Sequence, residues 1–517
     1  MATRVLDHNL SGPGRATLMD DRRGHRPIHL GLVAGAISLA LLNGRVAADL
    51  IYFRGGGSVQ LLTDSVGDRI VLILPDRRLE LHRDDIARRV PGFWPPTEWE
   101  SRRRSARDAG FAARFAAVWW AIENGLTTEV VPELHDLHAI DPSHGPTTRM
   151  VTILERLGAP CPDPDASGFR KALGVEMKEA RGPHVLLLHQ HNDAEAAERI
   201  EVLERVIAGF HLLFAAQGIE LRVPTRRLVS AWFADRADYL SFLHRQGADA
   251  FATTAGYYHP TWATVVAYDA RSGEAQRSAR ETLRRRQEAL RQASIELGAM
   301  PPGSRIRLKL ADEPARLIDR SGLDRRSRET AWNSARLDLE WRSNDLGLAS
   351  HEMVHHLAHN SGLVPYHDAF PVWLHEGLAA QFEVVRGGRW AGISRVDDHR
   401  LPDWRRIHRP TRLERLVRDL DFGRGYGREI YAEAWALVYY LRVQRGPGFA
   451  TFVDLLRTPD RTTAEAVSEP RGERFIEAFR RAFGPDLPTI GRDWHQFMAG
   501  VRSPIEQHSQ PERESRP

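Results

Sequence analysis

Between positions 351 and 376 the chain carries residues of the types, and at the spacings, that a hydrolytic metal centre uses. His351-Glu352-Met353-Val354-His355 sets two imidazoles four residues apart. On a helix that separation is one turn along one face, so both rings reach a single Zn²⁺. The carboxylate of Glu352, next to the first His, lies close enough to take a proton from a water on that metal. A second segment, Trp373-Leu374-His375-Glu376-Gly377-Leu378-Ala379-Ala380-Gln381-Phe382-Glu383, adds a carboxylate at Glu376 on what reads as another helix. Two His and one carboxylate leave the fourth zinc position open, as catalysis requires. His375 precedes Glu376 and competes with it as third ligand. His356 points about 100° away from His355 around a helix, toward solvent or the surroundings of the site, and His359 lies about 6 Å further along the axis, too far to share one ion with both.

Such ligands need a rigid support. Leu346 to Ala358 is unbroken by Gly or Pro, Ser343-Asn344-Asp345 offers N-capping side chains, and Gly362 is placed to stop the helix. Upstream, Thr253 to Pro260 leads into the strand-like Thr264 to Tyr268, in the right order to be an edge strand that holds an extended peptide by main-chain hydrogen bonds. A plain structural hairpin fits the same residues.

His-Glu-x-x-His followed by Trp-Leu-x-Glu-Gly-x-Ala-x-x-x-Glu resembles the gluzincin metallopeptidases, the group that includes the thermolysin-like and M1-type aminopeptidases. It is most similar to the peptidase MA-like domains of bacterial envelope proteins. The resemblance implies that His351, His355 and Glu376 are zinc ligands, that Glu352 is the general base, and that Glu383 is a supporting acid. Twenty residues separate His355 from Glu376, slightly more than in the M1-type enzymes. A gluzincin also needs a group opposite the metal to steady the tetrahedral oxyanion. Related domains carry a Tyr at the start of a later helix, which implies Tyr431 here, with Tyr426 as second choice.

The remaining sequence sets the context. Net charge is only +4 across 517 residues. The Arg102-Arg103-Arg104 and Arg284-Arg285-Arg286 runs sit among acids in helix-like segments, which reads as solvated helix faces, and no nucleic-acid motif accompanies them. Residues 1–48 read as a signal peptide: Arg22, Arg23 and Arg26, then an apolar run from Leu30 to Leu42, then Val46-Ala47-Ala48 ahead of a cleavage point at Asp49. A retained anchor is the alternative. An exported chain follows, whether periplasmic, envelope-bound or secreted. The single Cys161 forms no internal disulfide, and no later run is long and apolar enough to span a membrane.

From 49 to about 98 the pattern is a small β unit, with strand-like runs at Ser58–Leu62, Arg69–Leu74 and Arg78–Leu81. Residues 99–160 turn helical (Phe111 to Asn124, Thr128 to Ala139, Pro146 to Leu157) and look tetratricopeptide-like. A single such unit cannot bury its apolar face alone, so it should pack on a neighbouring domain or meet a protein partner. Cys161-Pro162-Asp163-Pro164-Asp165 marks the best boundary. Beyond it come strands at His184–His189, Glu220–Val223, Leu228–Ala234 and Thr264–Tyr268, with helices at Ala194–Gln217 and Arg236–Gln246. The expected architecture is α+β: a zincin-like domain over 180–502, with a mixed sheet, an active-site helix and a helical C-terminal lobe, then a disordered tail over 503–517. The function expected is a zinc-dependent peptidase acting on peptide or protein substrates. The alternatives are a binding or scaffold protein that keeps the fold without turnover, and a zinc hydrolase of a non-peptide amide.

Overall fold

Short, largely apolar strands build the first element of a computed structural model. It describes residues 46–507 apart from 54–57, 67–68, 74–77, 92–93, 260, 311–312, 366–368, 398, 409–410, 421–426, 459–469 and 504–505. Strands β1 (Val46–Phe53), β2 (Ser58–Val66), β3 (Arg69–Ile73), β4 (Arg78–His82) and β5 (Ile86–Pro91) form an antiparallel sheet in the order β4-β3-β2-β1-β5. Ile51, Leu61, Ile70, Leu72 and Leu81 share one face, as a period of two requires. Asp49 is buried within the sheet, held by the Thr63 hydroxyl and the Arg89 guanidinium. The expected β unit thus gains a first and a last strand. The leader lies outside the described residues up to 45, and Val46–Ala48 begin β1.

Helices α1 (Pro95–Ala106), α2 (Phe111–Glu123), α3 (Val131–Ile140) and α4 (Gly145–Leu157) follow, and then the short α5 (Ser167–Leu173). Val118, Ile122, Leu134 and Met150 are fully buried in a core shared with the rest of the molecule. Arg102 and Arg103 pair along their own helix with Glu98 and Glu100, as expected for a solvated face. The boundary expected at Cys161–Asp165 is bonded into the fold: Asp163 receives Arg181 and Arg227, and the Cys161 thiol faces the Pro224 carbonyl.

The second sheet combines β6 (Lys178–Arg181), β7 (Val185–His189), β8 (Leu228–Phe233), β9 (Gly256–His259) and β10 (Thr264–Tyr268) in the order β6-β7-β8-β10-β9. β7, β8 and β10 run parallel, and the outer strands β6 and β9 are antiparallel to their neighbours. Parallel strands are covered on both faces, and here Val185 and Leu187 face α6 (Asp193–Ala216) while Leu186 and Leu188 face α5 and α7 (Arg236–Arg245). Two expectations change. Glu220–Val223 forms no strand, because its Arg222 N–H bonds the Ser361 carbonyl at the end of a helix instead of a neighbouring strand. The edge is β9, and Thr264–Tyr268 lies inside the sheet.

α8 (Glu274–Gly298) and α9 (Arg320–Asn360) form a long antiparallel pair closed by the β11 (Ile306–Leu308) and β12 (Arg316–Ile318) ribbon. α9 runs for 41 residues and is capped by Asp319, whose side chain accepts from Gly322 N. Ser343-Asn344-Asp345 therefore lie inside the helix rather than at its start. The reason is tertiary: Trp332 completes the core of the first sheet, and Asp345 is buried against Arg199 and the Ala270 N–H. The C-terminal stop holds, with Gly362 in the left-handed region at φ 78°. Arg286 departs from the solvated-face reading: it bonds Thr330 of α9 and Glu313, whereas Arg284 and Arg285 pair with Glu281 at the surface.

The last part is helical around Trp373, Trp435, Phe452 and Trp494: α10 (Val372–Ala380), α11 (Arg400–Arg406), α12 (Leu413–Val417), α13 (Arg428–Gln444), α14 (Gly446–Arg457), α15 (Arg471–Phe483) and α16 (Leu487–Gly500). A two-residue ribbon, β13 (Val385–Arg386) with β14 (Arg389–Trp390), follows α10. The disordered tail expected from Ser503 onward does not hold for its first described residues. Ser503 is buried and Glu506 is tied to Arg405, while 508–517 lie outside the described residues. Mixed α+β architecture is what the sequence predicts. Among the described residues no helix is long and apolar enough to cross a membrane.

Candidate metal centre

The last turns of α9 are driven into the core by Met353, Val354 and Leu357, all essentially inaccessible, which fixes the rotation of the helix. That rotation turns His351 and His355 toward α10. Two glycines set the distances. A Cβ on Gly347 would lie 2.5 Å from the Glu383 carbonyl, and one on Gly377 would lie 2.5 Å from the Ala434 carbonyl of α13. Only residues without a side chain let α9 approach the segment after α10, and α10 approach α13, this closely. The start of α10 is capped from afar, by Asp419 accepting from Val372 N and Trp373 N.

Three donor atoms converge. His351 Nε2 lies 3.0 Å from His355 Nε2 and 3.2 Å from Glu376 Oε2, and His355 Nε2 lies 3.6 Å from the same oxygen. Ligands around a tetrahedral zinc with bonds of about 2.0–2.1 Å stand roughly 3.3 Å apart, so the triangle has the size of such a site. Its chemistry agrees. His351 Nδ1 faces Glu383 Oε1 at 2.6 Å, which calls for N–H on Nδ1 and leaves Nε2 as the donor lone pair of the neutral ring. Burial opposes charge on His351, but the hydrogen bonds and charges of Glu376 and Glu383 outweigh it and lift its pKa to about 10. Glu376 shows the converse: burial would raise it, yet the His355 charge and the bonds from both imidazoles hold it well below its usual range. Two imidazoles and a carboxylate held this close favour a positive charge among them.

Glu352 is buried beside this triangle. Burial raises its pKa, the charges of Glu376 and Glu383 add to that, and His355 and His351 oppose it. Its Oε2 has no hydrogen-bond partner among the described residues, a costly arrangement for a carboxylate with no task. Strand β9 passes directly over it: a Cβ on Gly256 would come within 3.2 Å of Glu352 Cγ and 2.9 Å of the Ala267 Cβ.

His375 is not brought into the triangle. Its ring stacks on His355 at 4.7 Å and 8°, and its buried Nε2 has no partner among the described residues. His356 is not exposed to solvent. It is buried against Tyr258, and burial lowers its pKa to about 4. His359 stacks on Tyr258.

Glu383 is gripped from the other side by Arg400, Nη2 to Oε1 at 2.8 Å and Nε to Oε2 at 3.1 Å. Arg400 starts α11, where Asp397 accepts from its N–H at 2.7 Å. The same guanidinium lies over the ring of Tyr431, 5.4 Å from its centroid. Tyr431 is thereby brought beside the residues that orient His351, while Tyr426 lies outside the described residues. Sequence reading missed Arg400. The capping pattern of Asp397 three residues before it was the available signal.

A family described as "Protein of unknown function (DUF1570)" matches residues 346–461, a stretch that contains His351, Glu352, His355, Glu376, Glu383, Arg400 and Tyr431. No curated protein matches the chain.

Proposed function

We propose that the protein is a zinc-dependent peptidase of the gluzincin type, exported from the cytoplasm, with a zincin-like domain carrying the site. The observation that carries this reading is the convergence of His351 Nε2, His355 Nε2 and Glu376 Oε2 beside the unpartnered carboxylate oxygen of Glu352. The three converging atoms would hold the metal, which when bound lowers the pKa of a water molecule and polarises the scissile carbonyl. Glu352 takes the proton of the attacking water, a role its raised proton affinity suits, and passes it to the leaving amine. Tyr431 donates to the oxyanion, with Arg400 holding its ring. The substrate lies along β9, which pairs with β10 on one side and passes over Glu352, so main-chain hydrogen bonds can receive an extended peptide there. That geometry favours a peptide over a non-peptide amide. The tetratricopeptide-like helices α1–α4 are the candidate surface for a protein partner.

The test is metal analysis of the full chain with cleavage of a mixed peptide library. His351→Ala, His355→Ala and Glu376→Ala each lose most bound zinc, whereas Glu352→Gln keeps zinc and loses cleavage. Zinc-loaded wild type that cleaves no peptide, or Glu352→Gln that cleaves as well as wild type, would sink the reading in favour of a scaffold.

A further inference from the structure

A cavity of about 710 Å³ opens between α2, the segment after β14, and α13 with α14. Its volume is that of a small-molecule site. It is separate from the metal centre: Tyr439, on its wall, is eight residues past Tyr431, about 12 Å further along α13.

The charges on its wall do not balance. Arg442, buried, spends its guanidinium on the Ser394 hydroxyl and on Glu123 at 3.1 Å, which uses the one carboxylate lining the cavity. Arg395 lines the same cavity and makes no hydrogen bond or ion pair among the described residues. Burial, with Arg386 and Arg442 nearby, disfavours its charge, while Tyr439 and Glu123 favour it. The backbone carrying it is itself constrained, since Ser394 sits at φ 52°, fixed by its N–H to the Gln381 carbonyl at 2.7 Å. A half-buried guanidinium that meets no carboxylate of its own is open to an anion entering the cavity. Trp119, Ile393 and Val443 make the remaining wall apolar, and Val443 is an exposed large hydrophobic at the rim.

We propose that this cavity binds a small monocarboxylate with an apolar or aromatic body, the carboxylate held by the fork of Arg395 and the body lying against Trp119 and Tyr439. One net positive charge suits one negative charge, and a planar guanidinium suits a planar carboxylate. The proposal does not depend on the activity assigned to the metal centre.

Calorimetric titration and thermal shift of the full chain with phenylacetate and hexanoate test it, with phenethyl alcohol and inorganic phosphate as comparison probes. Both carboxylates bind and raise the melting temperature, and phenethyl alcohol binds at least tenfold more weakly. Arg395→Met weakens phenylacetate at least tenfold, keeps its zinc, and without ligand melts no lower than wild type. Val443→Glu, an exposed change that leaves folding intact, also weakens phenylacetate at least tenfold by placing a like charge at the rim. The proposal is overturned if neither carboxylate binds wild type, if phosphate binds and the carboxylates do not, or if both variants bind phenylacetate like wild type.

Discussion

Glu383 holds no place in the converging triangle, yet it governs how His351 presents its lone pair. It takes the Nδ1 side of the ring and is itself locked by Arg400. Glu383→Gln keeps the shape and removes the charge, so zinc affinity, read by competition with a chelator, should fall about 10- to 100-fold with the melting temperature of the metal-free protein changing far less. Unchanged affinity would mean that His351 is oriented by packing alone. Tyr431 belongs to the same scale. A phenol that donates only to the developing oxyanion stabilises the transition state more than bound substrate. Tyr431→Phe should therefore lower kcat about a hundredfold, with KM and zinc content little changed. A normal kcat would pass the oxyanion role to another residue, with Tyr426→Phe the next variant to measure.

At the scale of elements, α9 decides the geometry, and its anchor lies two turns before His351. Asp345 and Arg199 are both almost fully buried and paired, and Arg199 also lies over the Trp232 ring at 4.2 Å. This ties the helix to α6 and the sheet before the ligands begin. Breaking such a pair strands a buried charge, so Asp345→Ala should cost about 3–5 kcal/mol in urea unfolding. Replacing both partners with apolar residues, Arg199→Met with Asp345→Leu, should cost much less, because no charge is left unmatched. Equal losses in the single and double variants would refute the anchor.

For the whole molecule, acid stability turns on a histidine remote from the metal centre. His211 of α6 is buried with no partner for either ring nitrogen among the described residues, and burial lowers its pKa to about 3, with His184 adding a smaller effect. The unfolded chain binds a proton near pH 6.5 that the fold refuses. The stability this residue contributes is thus complete above about pH 6.5 and is lost as pH falls toward about 3. His211→Leu should flatten that limb, recovering about 2 kcal/mol at pH 5 relative to pH 7. His184 runs the other way. Burial opposes its charge, but the Glu204 carboxylate outweighs it and raises the pKa, so its contribution is present below about pH 6.5 and fades as pH rises through the folded value. Paired pH titrations of thermal stability check both, and an unaltered acid limb in His211→Leu would refute the first.

The centre of the site was legible in the sequence because it depends on local spacing. His351 and His355 meet because they are one helical turn apart, and Gly362 stops that helix because glycine takes the left-handed turn without steric cost. The apolar runs of β3 and β7 and the period of α4 and α6 are local in the same sense. What only the tertiary structure decided involves partners far apart along the chain. α9 passes through Ser343-Asn344-Asp345 because Trp332 and Asp345 find burial on other elements, which outweighs a capping preference worth about 1 kcal/mol. Glu220–Val223 is not a strand because the end of α9 takes its N–H. Arg400 reaches Glu383, Asp419 caps α10, and β9 rather than β10 becomes the edge, each through contacts that no spacing along the sequence encodes. A one-turn motif is set by bond geometry, whereas the groups that orient and cover it are set by which distant surfaces bury one another.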